Sequence, residues 1–250
     1  MSDLYPDFFA GFYDVIYHQV RDGVDNRFYL DRIRECKGRI LETGSGTGRL
    51  LTEALANGAD IYGIDICPAM IEVLKAKLPP EQRNRISLQS IVDFRSDIGC
   101  DLIIAPFRVF MHLMEKTDQL KALNNVCRHL SPGGKFIFDV FNPDLKPLIS
   151  GLDNITDFEG EYEPGKSLRR ITSTRPDLIN QVINITFRIE WNDGESIHTS
   201  AWETPLRYFF RFEPEHLIER FEFASYSVAG DFDGGELTGD SKEFIVTCFK

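Results

Sequence analysis

The sequence predicts a doubly wound α/β protein with a seven-stranded, mostly parallel sheet and an antiparallel β insertion after strand five. Three patterns predict this fold class. Apolar segments alternate with segments of helical period as far as about residue 147, which is typical of a parallel sheet with helices on both faces. A glycine-rich loop joins the first apolar segment to the next helix. Beyond Pro147 the apolar residues recur at every second position, as in antiparallel strands with one solvent-exposed face.

The alternating part of the chain accounts for five strands and their helices. Residues such as Phe9 and Tyr13, at three- and four-residue spacing, predict a helix near the N-terminus, and residues 26–36 predict a second helix. Further helices are expected after the glycine loop, from Pro68, where proline fits the first turn, and over the amphipathic segment 118–130. Strands are expected at 40–41, 60–65, 86–92, 100–107 and 135–141.

The last third of the chain predicts the insertion and then a return to the main sheet. Apolar and polar residues alternate over 183–191, and Asn192-Asp193-Gly194 is a hairpin-turn signal. The main domain is expected to comprise residues 1–154 and 213–250, with an N-terminal helical cap, and the insertion residues 155–212. Strands are expected at 168–174, 183–191, 197–202, 206–212, 223–228 and 244–249, with a helix at 213–221.

Composition restricts the class of partner. The 250 residues include 28 basic and 39 acidic side chains, a formal net charge of -11, which disfavours binding to nucleic acid or to an anionic membrane surface. The five cysteines form no C-x-x-C pair and are expected to be reduced core thiols, with no metal site. No signal peptide and no membrane-spanning run is recognised, so a cytoplasmic protein is expected.

The glycine-rich loop has the spacing E-x-G-x-G-x-G, formed by Glu42, Gly44, Gly46 and Gly48. Glycine permits positive φ and close approach of a ligand to the backbone. A dinucleotide site requires G-x-G-x-x-G or A, whose last small residue lets the helix and strand pack closely. Arg49 occupies that position here, and a leucine occupies it in the other register. The spacing therefore argues against an NAD(P)-binding oxidoreductase, which is kept as an alternative.

The motif and its position resemble the first motif of class I S-adenosylmethionine (SAM)-dependent methyltransferases, which have a Rossmann-like sheet. Asp65 is similar to the acid that ends strand two in that family, and a carboxylate offers acceptors to two adjacent ribose hydroxyls. The stretch L-S-P-G-G-K-F at 130–136 resembles the family's turn into strand five. The resemblance covers roughly residues 10–145 and 213–250, and it implies SAM as the cofactor.

The resemblance also implies a set of cofactor-binding residues. Ile66 and Met70 occupy positions at which the family packs apolar groups on the adenine ring. Ser90 stands where the family usually has an aspartate for the adenine amino group, so its hydroxyl should bind more weakly. Glu42 is expected to order the loop or to bind the amino-acid end of the cofactor through water. The full set is Glu42, Gly44, Ser45, Gly46, Gly48, Asp65, Ile66, Met70, Ser90, Ile91, Pro106 and Phe107.

Catalytic residues are expected near the exit of strand four, because ligands sit at the carboxyl ends of such strands. The segment F-R-V-F-M-H-L at 107–113 lacks the N/D-P-P-Y/F motif and resembles small-molecule N-methyltransferases that act on amino sugars. By that resemblance His112 would take a proton from the acceptor, and Tyr13 or Tyr17 would reach the active site. Arg108 could hold a substrate carboxylate or phosphate. The alternatives are that His112 is only a polar residue at a helix start, that the tyrosines serve in packing, and that Arg108 forms an ordinary salt bridge.

The sequence thus predicts a SAM-dependent methyltransferase that acts on a nitrogen or oxygen atom of a small-molecule acceptor. The insertion is expected to serve as a substrate cover or as a dimer contact, in a monomer or homodimer. A non-catalytic SAM-binding protein is a further hypothesis, and only the unusual Ser90 favours it.

Overall fold

The structure is a computed structural model that describes residues 5–20 and 23–250. Its main domain begins with two helices, continues as alternating strands and helices, and ends with two strands. The helices are α1 (Asp7–Val20), α2 (Val24–Glu35), α3 (Leu51–Ala56), α4 (Pro68–Lys77), α5 (Lys116–His129), α6 (Leu145–Ser150) and α7 (Phe212–Ile218). The strands of this domain are β1 (Ile40–Thr43), β2 (Ile61–Asp65), β3 (Ile86–Leu88), β4 (Cys100–Ala105), β5 (Leu130–Phe141), and, at the end of the chain, β10 (Ser225–Ala229) and β11 (Glu243–Phe249).

These seven strands form one sheet in the order β10-β11-β5-β4-β1-β2-β3. The pairs β1–β2, β1–β4, β2–β3 and β4–β5 are parallel, whereas β11 is antiparallel to both β5 and β10. The prediction of a seven-stranded, mostly parallel sheet is therefore confirmed. Because β1, β2 and β4 run in the same direction, the loops that follow them meet at one edge of the sheet, where ligands bind in such folds.

Successive residues of the central strand β4 point into two apolar layers. Leu102 and Ile104 lie in the cluster that contains side chains of α2 and α3. Ile103 lies in the opposite cluster, with Leu123 and Val126 of α5. The strand is apolar from Leu102 to Ala105 because helices cover both faces of the sheet.

Four further strands form a separate antiparallel sheet in the order β6-β7-β8-β9. Side chains of this sheet share an apolar cluster with α1, in which the ring centres of Phe9 and Trp202 lie 4.1 Å apart. The sheet therefore stands beside the N-terminal helix, and Ile183 and Leu206 of its strands also pack against the core of the main sheet. Its strands are β6 (Leu152–Glu163), β7 (Lys166–Asp177), β8 (Val182–Asn192) and β9 (Ile197–Arg207).

The second sheet differs from the prediction at both ends. β6 begins at Leu152, before the expected start at residue 155, and its periodicity does not reveal it because Phe158 is its single buried residue. Residues 206–212 form no separate strand. Instead β9 runs without a break through Pro205, which an edge strand tolerates, and α7 begins at Phe212.

In the described part of the chain no helix is long and apolar enough to cross a membrane. The five cysteines are free, and all except the half-buried Cys36 are buried. Burial raises the pKa of Cys100 to about 11, so this thiol stays protonated at neutral pH.

Candidate active site

The glycine loop follows β1 and turns over the end of β2. Gly44, Gly46 and Gly48 have φ values of 67°, 52° and 86°. A side chain at Gly44 would collide with Val109 and one at Gly48 with Leu74, whereas Gly46 faces open space. The loop therefore requires glycine at all three positions, and at Gly46 its backbone is open to a ligand.

Asp65 ends β2 beside this loop and is 9% exposed. Its Oδ2 accepts a hydrogen bond from the Gly46 amide at 2.8 Å, and its Oδ1 accepts one from the Cys67 amide at 2.8 Å. Burial raises the pKa of Asp65, and these backbone hydrogen bonds oppose the increase. Each carboxylate oxygen keeps a further lone pair. Asp65 can therefore hold the loop and still accept hydrogen bonds from two hydroxyl groups of a ligand.

Glu42 lies on β1 beneath the loop and is buried. Its Oε2 atom has no hydrogen-bond partner among the described residues. Burial raises the pKa of Glu42 to about 8, and the charge of Arg49 opposes this more weakly. The side chain is therefore mostly protonated at neutral pH. Glu42 does not line the pocket above it, so contact with a ligand there would need a bridging water.

Replacing Glu42 with glutamine should stabilise the protein at high pH and not at low pH. Because the folded-state pKa of about 8 lies above the ordinary value of 4.5, the unfolded chain loses this proton first as the pH rises. Wild type should then lose about 1.4 kcal/mol of unfolding free energy per pH unit between these two values. Urea denaturation at pH 5 and pH 8 measures the effect.

Glu35→Gln, at an exposed position of α2, is the matched control for removing one carboxyl group. If Glu42→Gln and wild type keep the same difference in unfolding free energy at pH 5 and pH 8, the raised pKa of Glu42 is refuted.

A pocket opens between the glycine loop, the ends of β2 and β4, and helix α1. Glu42 and Gly48 do not line it, because the first is buried below the loop and the second packs against α4. Its wall is polar at the loop and at Asp65 and apolar at Met70 and Ile91, which suits a ligand with a polar end and a flat apolar part. The predicted residues that it brings together are Gly44, Ser45, Gly46, Asp65, Ile66, Met70, Ser90, Ile91, Pro106 and Phe107.

The chain turns towards this pocket directly after β3. The strand ends at Leu88, not at residue 92 as expected, because Ser90 begins a turn. The Ser90 carbonyl accepts a hydrogen bond from the Phe94 amide at 2.8 Å, and the Ser90 Oγ accepts one from the Val92 amide at 3.2 Å. The Ser90 hydroxyl can therefore offer only its remaining lone pair or its proton to a ligand. Gln89, a residue that the sequence pattern did not indicate, also lines the pocket.

The exit of β4 has a strained backbone. Phe107 and Arg108 have φ values of 59° and 69°, which residues other than glycine rarely adopt. Their amides donate hydrogen bonds to the carboxylate of Asp139 on β5, at 2.8 and 3.1 Å, and the Tyr29 hydroxyl donates to it at 2.6 Å. Asp139 is fully buried. Its carboxylate thus holds the turn that leads into the short 3-10 helix Val109–His112.

His112 ends this 3-10 helix and lines the pocket. Burial lowers its pKa to about 4, so the imidazole is neutral at neutral pH. Its Nδ1 atom is buried without a hydrogen-bond partner in the described residues. A neutral imidazole can accept a hydrogen bond from an amine or hydroxyl group, but it holds a proton less strongly than an exposed histidine does.

Helix α1 covers the pocket and is fastened to the glycine loop. Asp14 accepts hydrogen bonds from the Thr47 hydroxyl at 2.6 Å and from the Lys77 ammonium group at 2.5 Å. Tyr13 lines the pocket, as does His112. Tyr17 does not line it but borders two adjoining cavities, and its ring centre lies 4.4 Å from that of Tyr13. Of the two predicted tyrosines, Tyr13 is therefore the one that shares the pocket with His112.

Two arginines lie next to the pocket. Arg108 forms an ion pair with Glu243, with 2.8 Å between Nη2 and Oε1, so its charge is already compensated and the salt-bridge alternative is supported. Arg49 lines the pocket, and its guanidinium lies 3.6 Å from the centre of the Phe107 ring. In the sequence, Arg49 served only as an argument against a dinucleotide site. Its position directly after Gly48, the last loop glycine, was the signal that could have placed it at the pocket.

Part of the chain matches known sequences. Residues 40–134 match the family described as "Methyltransferase domain". The chain is also 29% identical over 148 residues to the ubiquinone/menaquinone biosynthesis C-methyltransferase UbiE of Syntrophotalea carbinolica, a match that covers 56% of this chain and 61% of that protein. The chain therefore spans less than two thirds of the length of this relative.

Two solved structures are similar over nearly the whole chain. A S-adenosylmethionine-dependent methyltransferase from Clostridium acetobutylicum gives a TM-score of 0.73 at 18% identity, over 97% of this chain and 98% of that chain. The sugar N-methyltransferase KedS8 from Streptoalloteichus gives a TM-score of 0.74 at 17% identity, over 95% of this chain and 92% of that chain. At these identities the similarity shows a shared fold.

Proposed function

Because the chain carries a class I SAM-dependent methyltransferase domain, we propose that the protein transfers the methyl group of SAM to a nitrogen or oxygen atom of a small-molecule acceptor. The observation that carries this proposal is the placement of the glycine loop, Asp65 and His112 around one pocket. The first two fit the cofactor, and the third lies where an acceptor would meet it.

The chemistry of the pocket fits SAM. Asp65 would accept hydrogen bonds from both ribose hydroxyls, and Met70 and Ile91 would enclose the adenine ring. The open backbone at Gly46 would adjoin the polar part of the cofactor. The buried Oε2 atom of Glu42, which lacks a partner among the described residues, would accept a hydrogen bond from a water that also binds the cofactor's amino group. Bound SAM supplies a sulfonium whose methyl carbon is the electrophile.

The residues of this chain would promote the reaction mainly by alignment and exclusion of water. Orientation of two reactants can lower a barrier by about 7–11 kcal/mol. His112 would accept a hydrogen bond from the acceptor N–H or O–H group and so direct its lone pair. Because burial holds the pKa of His112 at about 4, the proton would pass on to solvent. Helix α1, fastened by Asp14, would keep water from the pocket.

The imidazole of His112 should not titrate between pH 8 and pH 5.5. Burial lowers its pKa to about 4. As the pH falls through 6.5, the unfolded chain therefore takes up this proton while the folded protein does not. The free energy of unfolding should then decrease between pH 6.5 and pH 4. NMR of protein labelled on histidine, with the His112 signal identified by its absence from His112→Gln, measures the midpoint. The exposed His216 supplies the reference signal in the same spectra. A midpoint near 6.5 for His112 would contradict the proposed environment.

The second sheet would act as the cover over the acceptor. Its residues Phe187, Thr204 and Leu206 line a cavity that also contains His112, which supports this role over that of a dimer contact alone. The similarity to a sugar N-methyltransferase favours nitrogen as the methylated atom. The net charge of -11 disfavours nucleic acid and anionic membranes as partners, and we propose a cytoplasmic enzyme that is a monomer or a homodimer.

Two measurements test the proposal. Calorimetric titration with SAM should show binding, and no heat at millimolar SAM would refute the cofactor assignment. Transfer of labelled methyl groups should then be measured with a panel of amines, amino sugars and hydroxylated metabolites. SAM binding without transfer to any member would favour the non-catalytic SAM-binding protein.

A further inference from the structure

Two cavities adjoin the cofactor pocket one after the other. The narrow cavity, of about 80 Å³, shares Tyr13, Phe107 and His112 with the pocket. The wide cavity, of about 1020 Å³, shares Tyr17 and Arg108 with the narrow one and lies between the second sheet and the loop before β11. An acceptor held in the wide cavity would therefore reach the cofactor through the narrow one, which is large enough for a single small group.

The wide cavity is strongly acidic. Seven carboxylates and three basic side chains line it, an excess of four negative charges. Two of the basic groups are neutralised, because Arg108 pairs with Glu243 and Arg170 pairs with Asp157. Such a surface attracts cations and repels phosphates. The loop between β10 and β11 contributes four carboxylates that form no ion pair with a described basic residue: Asp231, Asp233, Glu236 and Asp240.

Five buried polar atoms of residues that line these cavities lack hydrogen-bond partners in the part of the chain that the structure describes, and two of them lie outside His112 and the Arg108–Glu243 pair. Arg170, which is 3% exposed and lines the wide cavity, uses Nε and Nη2 for Asp157 at 2.8 and 3.0 Å, whereas its Nη1 has no partner. Thr204, which is 4% exposed, lines the narrow cavity, and its Oγ1 has no partner. Buried polar groups are nearly always hydrogen-bonded, so both atoms point to a polar ligand.

The narrow cavity is suited to an amino group. Aromatic rings of Tyr13, Tyr17 and Phe187 line it. The Arg170 guanidinium already lies over the last two rings, 5.1 and 5.0 Å from their centres, so the amino group would enter as the neutral amine, whose lone pair is free to react. The neutral His112 imidazole and the Thr204 hydroxyl are hydrogen-bonding groups for the same amine.

We propose that the acceptor is a polyhydroxylated compound with several amino groups and no phosphate, of the aminocyclitol-glycoside class. This inference rests on the proposed methyltransferase function. One amino group would enter the narrow cavity, further ammonium groups would bind the four loop carboxylates, and a hydroxyl oxygen would accept a hydrogen bond from Arg170 Nη1. In the transfer the nitrogen lone pair forms the N–C bond, the C–S bond breaks with its electrons going to sulfur, and an N–H proton leaves to solvent.

Calorimetry of the full chain, with and without S-adenosylhomocysteine, tests the proposal with three probes. Kanamycin carries amino and hydroxyl groups, spermine carries amines alone, and thymidine diphosphate carries phosphates. Kanamycin should bind most tightly. The triple variant Asp233→Asn, Glu236→Gln, Asp240→Asn should weaken kanamycin binding about tenfold or more at low ionic strength, with unchanged SAM affinity. The control triple variant Asp153→Asn, Glu159→Gln, Glu161→Gln alters the same number of exposed charges on β6. It should change the kanamycin affinity less than twofold.

Three results would overturn the inference: tighter binding of thymidine diphosphate than of kanamycin, equal or tighter binding of spermine, or equal kanamycin affinity in the two triple variants. If wild type binds SAM but not kanamycin, the acceptor class is wrong and the methyltransferase assignment stands. If it does not bind SAM, the proposed function itself fails.

Discussion

Replacing Asp65 with alanine is expected to weaken SAM binding by a factor of about 10 to 150. A hydrogen bond to a charged group contributes about 1.5–3 kcal/mol, and this range corresponds to that loss of affinity. The substitution also removes the acceptor of the Gly46 and Cys67 amides, so the glycine loop should become less ordered. Isothermal titration calorimetry with SAM gives the dissociation constant, and a urea unfolding curve shows whether the variant is folded.

Asp60→Ala is the matched control, because it removes the aspartate that directly precedes the start of the same strand, β2. Asp60 is half-exposed and lies 2.7 Å from Arg85, and exposed ion pairs of this kind contribute little. Its SAM affinity should equal that of wild type. An unchanged dissociation constant in Asp65→Ala, with the fold intact, would rule out the ribose-binding role.

Replacing Asp139 with alanine is expected to lower the free energy of unfolding by at least about 3 kcal/mol. Three donors would lose their acceptor inside the protein, and each buried donor without a partner costs about 1–3 kcal/mol. The positive φ values of Phe107 and Arg108 would then lack the contact that holds them. Because this turn leads into the helix that carries His112, methyl transfer should fall as well. Urea denaturation measures the stability.

Tyr29→Phe separates the parts of this network. It removes one donor to Asp139 and leaves both backbone donors in place, so the loss should be about 1 kcal/mol. This variant also gives a measurement if Asp139→Ala does not fold. If Asp139→Ala is as stable as wild type, the carboxylate does not hold the turn.

The cofactor part of the site could be predicted because its residues follow local rules. The spacing of Gly44, Gly46 and Gly48 reflects a backbone with positive φ at each position. Asp65 directly follows an apolar strand, so its place at the carboxyl edge of the sheet follows from the order of elements. Neither inference needs knowledge of the tertiary packing.

Contacts between distant parts of the chain were beyond the reach of these rules. Asp139 acts on residues of another strand, and the one sign of it is an acid within the apolar run F-I-F-D-V-F. The bond of Asp14 to Thr47 joins positions 33 residues apart, and periodicity does not register such pairs. The paired state of Arg108 likewise depends on Glu243, near the C-terminus. The sequence therefore left two roles open for Arg108, a substrate contact or a salt bridge, and the position of Glu243 decides between them.

The outer strands of the second sheet limit how copies of this protein could associate. β6 and β9 are its two edges, and the free backbone groups of an edge strand can pair with a strand of another molecule. On β9, Pro205 lacks an N–H group. Like charges on β6 would repel a second copy of the same strand, since it carries Asp153, Asp157, Glu159, Glu161 and Glu163. Both edges thus oppose strand addition and aggregation, and a homodimer formed through this sheet would use its face.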